Sequence, residues 1–125
     1  MSVTTDELVT KVALWQGRLR MQDWRFEVAV GRRSKAPTSL GPGCAGCARW
    51  DTHERLAYIY LVEADDLGDL DPPYLDMERT LLHEMVHVLF AMAASQDDQQ
   101  GPGWEQAINA VADALLTMES ACKLV

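Results

Sequence analysis

The sequence predicts an α+β fold: an N-terminal helix, a small three- to four-stranded mixed sheet, a buried central helix and a C-terminal helix. Three observations lead there. Apolar residues recur at helical spacing near both ends, at Leu8, Val12, Trp15 and Leu19 and again at Ile108, Val111, Leu115 and Met118. Between them, Trp24, Phe26, Val28 and Val30 alternate with Arg25, Glu27 and Ala29, the period of a half-buried strand. The run "LLHEMVHVLF", Leu81 to Phe90, is apolar nearly all round, as in a helix buried at the centre of a domain. At 125 residues the chain has the size of one domain, 1–125.

Thr5 or Asp6 can cap the first helix, which should end near Met21. A strand follows over Trp24 to Val30, then a Gly/Pro/Ser-containing loop, Gly31 to Gly43. Two more strands are expected over Cys47 to Asp51 and Leu56 to Val62, with "DTHE" turning between them. An acidic loop leads to the central helix, where Asp71 suits the N-cap and Pro72 the first helical position. That helix should run from about Pro73 to Ala94, until "SQDDQQGPG" breaks it; the last should cover Trp104 to Cys122.

The formal net charge is −8, which argues against a nucleic-acid partner, since phosphate binding needs a basic face. The only basic cluster, "GRRSK" at Gly31 to Lys35, reads as a solvated loop. No apolar run approaches a membrane span, and "MSVTTDELVTKVALW" lacks the basic start and apolar core of a signal peptide. The expectation is a cytoplasmic protein with no membrane partner. Nothing in the sequence reports an oligomeric state.

The chemistry concentrates in "HEMVH", His83 to His87. Residues four apart share a helix face, so the two imidazoles project side by side, one turn apart. So placed, they can hold one Zn²⁺ at about 2.0–2.1 Å from each nitrogen. Glu84 lies on a neighbouring edge, where it can reach a metal-bound water without being a ligand. Polar groups in so apolar a helix need partners, and one metal supplies them together. A catalytic zinc needs a third protein ligand and an open position. No histidine follows the motif; Phe90 and Ala93 stand where a metzincin has its glycine and third histidine. The best third ligand is Glu105, in the first turn of a helix that doubles back after "QGPG". Asp113, deeper in that helix and nearly opposite His87 in a straight hairpin, is the alternative; Asp97 and Asp98 are weaker.

"LLHEMVHVLF" followed after a short loop by "WEQAINAVADALL" resembles the zincin metallopeptidases. Among them it is most similar to the glutamate-zincin (gluzincin) branch and to its minimal phage and bacterial forms. The resemblance covers Leu56 to Leu116 well, and the N-terminal part only in element order. It implies zinc held by His83, His87 and Glu105, with Glu84 as general base for the hydrolysis of peptide bonds. It also implies an edge strand above the metal, to which a substrate peptide adds. By position that strand is Leu56 to Val62, with Ala57, Tyr58, Ile59 and Tyr60 against the substrate. Larger gluzincins place a histidine or tyrosine beyond the third ligand to stabilise the oxyanion. Here no His, Tyr or Arg follows His87, and any helper must come from His53, Tyr58, Tyr60 or Tyr74. Two other readings therefore stand beside the peptidase. One is a zincin-like protein that binds a peptide or partner protein without cutting it. The other is a DNA-associated protease of the SprT-like kind, against which the net charge weighs.

Two further motifs read as structural. "CAGC", Cys44 to Cys47, could join His53 and Cys122 in a structural zinc site, or form a redox pair; the simpler reading is two thiols in a loop before a strand. "DDLGDLD", Asp65 to Asp71, lacks the spacing of a calcium loop and reads as a solvated acidic turn. Trp15, Trp24, Trp50 and Trp104 read as core or rim packing rather than a base-stacking platform.

Overall fold

Helix α1 spans Thr5–Arg18 and buries Leu8 and Trp15, two turns apart on one face. It stops at Arg18 rather than near Met21. Arg20 adopts a left-handed conformation (φ 59°), and the Met21 N–H reaches back to the Gln16 carbonyl at 2.8 Å. This is the helix-ending turn that glycine usually supplies. The computed structural model describes residues 5–41, 43–68 and 76–123.

The three strands are β1 (Arg25–Gly31), β2 (Gly46–Asp51) and β3 (Leu56–Val62), in the order β1-β3-β2. β1 pairs with β3 in parallel and β2 pairs with it antiparallel, so the sheet is mixed. The turn after β2 forms as "DTHE" predicts. One Asp51 carboxylate oxygen accepts the N–H groups of His53 and Glu54, at 2.9 and 3.1 Å.

The strand order corrects one expectation. The resemblance puts Leu56–Val62 at a free edge, whereas β3 is the central strand with its main chain paired on both sides. Ala57 and Ile59 face the core and are buried, while Tyr58 and Tyr60 point to the opposite face of the sheet. None of the four is placed to receive an added strand. The free edge on the side of the histidines belongs to β2.

Helix α2 (Met77–Leu89) is the hub of the domain, packed on β2 and β3 and touched by α1 and α3. Leu81, Leu82, Met85, Val86 and Val88 are buried. Its start is later than predicted. Asp76 is extended (ψ 112°) and its side chain accepts the Glu78 N–H at 3.0 Å, so Asp76 is the N-cap. Asp71, Pro72, Pro73 and Tyr74 lie outside the described residues. Its end is earlier, at Leu89 rather than Ala94. The chain turns at Phe90 (φ −89°, ψ 6°), and the Gln99 side-chain amide satisfies the His87 and Ala94 carbonyls at 3.2 and 3.0 Å. Apolar residues continue past Leu89, so hydropathy alone hides this break.

Helix α3 (Pro102–Lys123) lies against α2, with Ile108 and Ala112 buried in the shared core. β2 comes unusually close to α2 at Gly46. A Cβ there would meet the Thr80 methyl at 2.9 Å and the Tyr60 carbonyl oxygen at 3.0 Å, so only glycine fits without displacing its neighbours. Among the described residues no helix is long and apolar enough to cross a membrane.

Candidate metal centre

The α2–α3 packing has a simple periodicity. Glu105 meets His87, Asn109 meets His83, and Asp113 meets Arg79. Each turn forward along α3 is a turn backward along α2, so the two helices run antiparallel with three side-chain rungs between them. This ladder brings together the residues the motif singles out. The two Nε2 atoms of His83 and His87 lie 3.2 Å apart. One Glu105 carboxylate oxygen is 3.1 Å from the first and the other is 3.0 Å from the second. Glu84 stands further off, with its nearest carboxylate oxygen 4.0 Å from His83 Nε2.

These spacings suit one small cation. Donors at about 2.0–2.1 Å from a tetrahedral ion are separated by about 3.3 Å, close to the distances seen here. Glu105, nearer and half-exposed, has the geometry of a ligand. Glu84, set back and buried, does not compete for that role. His83, Glu84 and His87 also offer donor atoms that all fall within 4.8 Å of one another.

The outer nitrogens of both imidazoles are held too. Asn109 Oδ1 lies 2.8 Å from His83 Nδ1, and Gln99 Oε1 lies 2.8 Å from His87 Nδ1. Sequence reasoning passed over both amides. The available signal was Asn109 itself, a poor helix former inside "AINAVA" with no cap or turn to explain it.

The charges respond to this crowding. Burial pushes the Glu84 carboxyl up from its ordinary value, and the two imidazoles only partly offset that. The hydrogen bonds from His83 and His87 hold Glu105 well below the usual carboxylate range. For His87, burial works downward, but the bond to Glu105 and the charge of Glu84 outweigh it and the net shift is upward.

Asp113, the alternative third ligand, is elsewhere. It receives the Arg79 guanidinium at 2.6 and 3.2 Å, two turns along α2 from His87. A straight hairpin does place it on the correct face, but the antiparallel register carries it past His83 to Arg79. Asp98 is also taken locally, exchanging bonds with Ser95 across a turn.

A cleft of about 400 Å³ opens over the cluster, walled by Gly46, Ala48 and Trp50 of β2 and by Ser39, Gly41, Gly43, Cys44 and Ala45 before it. The Ala45 carbonyl accepts from the Val62 N–H at 2.9 Å, which fixes the pairing phase of β2. It follows that Gly46, Ala48 and Trp50 turn their main-chain N–H and carbonyl groups to the free edge. Gln96 already occupies one of these, donating to the Ala48 carbonyl at 3.1 Å.

The other sequence candidates are not brought into the cluster. His53 sits in the hairpin turn, and Tyr58 and Tyr60 line a second, smaller cavity on the far face of the sheet. Cys44, Cys47 and Cys122 are free thiols, and burial raises the pKa of both Cys44 and Cys47. None of the three belongs to a group of donor atoms close enough together to hold an ion among the described residues, so the simpler reading of two thiols in a loop before a strand stands. Arg32 of the basic loop binds Asp65 and Asp66 of the acidic turn, and Glu63 before it; Asp69 and Asp71 of that turn lie outside the described residues. Comparison of the chain with protein-family models, with curated proteins and with solved structures gave no match.

Proposed function

We propose that this chain is a zinc-dependent metallopeptidase of the zincin type. The observation that carries the reading is the convergence of the two Nε2 atoms with both Glu105 oxygens at 3.0–3.2 Å, beside the buried Glu84. His83, His87 and Glu105 would hold the ion. Zinc so bound supplies Lewis acidity and a water of lowered pKa. Glu84 does the proton work. Its carboxylate accepts a proton from the attacking water and returns it to the leaving amine, and burial raises its affinity for that proton. An extended peptide or protein segment is the substrate that fits a cleft with a free strand edge along one wall. Its main chain would pair with Gly46, Ala48 and Trp50 of β2.

The test is cleavage of an unstructured protein substrate by wild type and by Glu84→Gln, each with measured zinc content. Zinc-dependent turnover in the wild type, and zinc without turnover in the variant, is the expected result. A Glu84→Gln protein that loses its zinc, or that still cuts, removes Glu84 from the role of base.

One observation favours a second reading, a zincin-like protein that holds a peptide without cutting it. Of the candidates for stabilising an oxyanion, His53, Tyr58 and Tyr60 lie outside the cleft over the histidines, and Tyr74 lies outside the described residues. Peptide binding by zinc-loaded wild type with no product formed selects that reading. Salt-sensitive binding of DNA would instead select the DNA-associated protease.

A further inference from the structure

We infer that Gln99 and Asn109 are positioning residues that prepare both histidines for the metal, and that they do so as neutral acceptors. The inference rests on the zinc reading above.

The orientation of Gln99 is settled by its surroundings. Its Nε2 donates to two carbonyls, those of His87 and Ala94, so the atom 2.8 Å from His87 Nδ1 is its Oε1. An amide oxygen has no proton to give, so His87 Nδ1 must carry one. Asn109 Oδ1 stands in the same relation to His83 Nδ1, also at 2.8 Å. With both Nδ1 atoms committed as donors, Nε2 is the nitrogen of each ring that can give up its proton and offer a lone pair to an ion, and it is the Nε2 atoms that converge on Glu105. The two rings are also fixed in rotation, 4.9 Å apart and inclined at 66°.

The choice of amides sets the charge of the site. Metal-binding histidines often pass their second nitrogen to a carboxylate, which adds negative charge. Here the acceptors are neutral. The outer acceptors therefore add no charge to the set of His83, His87 and Glu105. Gln99 adds a mechanical role. It is 2% exposed and ties the turn after α2 to the ring of His87, so one side chain sets both the helix end and the ligand.

The experiment compares zinc affinity, by chelator competition, in wild type, Asn109→Leu, Asn109→Asp and Gln99→Met. The visible spectrum of each cobalt-loaded protein and its far-ultraviolet dichroism are recorded alongside. Removing an acceptor should lower affinity about 10–100-fold and change the cobalt spectrum, while the fold is kept. Asn109→Asp, which keeps an acceptor, should restore affinity and spectrum. Wild-type affinity in both Asn109→Leu and Gln99→Met would overturn the inference. Equal losses in Asn109→Asp and Asn109→Leu would overturn it too, since packing rather than an acceptor would then be at stake. If Gln99→Met does not fold, the Asn109 pair decides alone, because Asn109 is only partly buried. A wild type that binds no zinc is a different outcome, and sinks the zinc reading itself.

Discussion

Glu105 and Asp113 are carboxylates on one face of α3, two turns apart, yet their partners differ in kind. Glu105 faces two imidazoles and Asp113 faces a guanidinium. Glu105→Ala should therefore cost zinc affinity more than about 100-fold, beyond what an outer partner of a ligand contributes. Asp113→Ala should leave affinity near wild type while lowering stability through loss of the Arg79–Asp113 ion pair. Competitive chelation checks the first and thermal unfolding the second; equal affinity loss in the two variants contradicts the ligand assignment. The same contacts set a pH dependence for the metal-free protein. Glu105 is shifted down, so its contribution is present above the ordinary glutamate value of 4.5 and is lost in acid. His87 is shifted up, so its contribution is present below the ordinary histidine value of 6.5 and is lost as pH rises through its folded value. Glu84, also shifted up, contributes below the ordinary glutamate value of 4.5 and loses that contribution as pH rises through its folded value. Stability of the metal-free protein should thus peak between 4.5 and 6.5 and decline above, while zinc affinity rises over that decline as protons leave His87. Denaturant titrations across pH, with and without zinc, measure both; parallel curves would contradict the pairing. At this scale the sequence was informative about His83, Glu84, His87 and Glu105, because spacing on a helix determines who shares a face. It was silent about Gln99, whose role depends on a turn that no periodicity records.

Among elements, the edge of β2 has the clearest functional consequence. Gln96 holds the Ala48 carbonyl, the middle acceptor of the three outward-turned residues. An added peptide strand must take that acceptor from it. Gln96→Ala should lower KM for a peptide substrate by about two- to tenfold, the worth of one hydrogen bond, with kcat little changed. A KM that stays put means the peptide does not use Ala48. The alternation of Ala57, Ile59 and Leu61 with Tyr58 and Tyr60 revealed the two faces of β3, but not its neighbours. Strand order is a property of pairs, and β3 reaches the middle only because β1 crosses to its far side. The early end of α2 was hidden for a related reason. Val88, Ala91 and Ala94 are all buried, so apolar character runs on while the helix does not.

For the whole molecule, the candidate centre joins α2 to α3 across the 90–101 connection. A ligand that binds only the folded chain stabilises it by RT ln(1 + [L]/Kd), about 4 kcal/mol at a thousandfold excess over Kd. For a domain of this size zinc should raise Tm by about 10 °C or more, reversibly with chelator. Scanning calorimetry measures the shift; an unchanged Tm would mean that zinc does not bridge the two helices. The α+β layout was legible throughout because each element carries its own period. The helix-to-helix alignment was not, since it depends on how the connection folds. That alignment is where the three rungs matter most. Slide α3 by one turn in either direction and the backbone still fits, but the chemistry does not. One slip sets Asn109 against His87 and Asp113 against His83, breaking the Arg79–Asp113 pair. The other sets Glu105 against His83 and Asn109 against Arg79, stranding Asp113. Acid, amide, acid against imidazole, imidazole, guanidinium admits a single solution, so the side chains that would bind the ion also work as a combination lock on the helix pair.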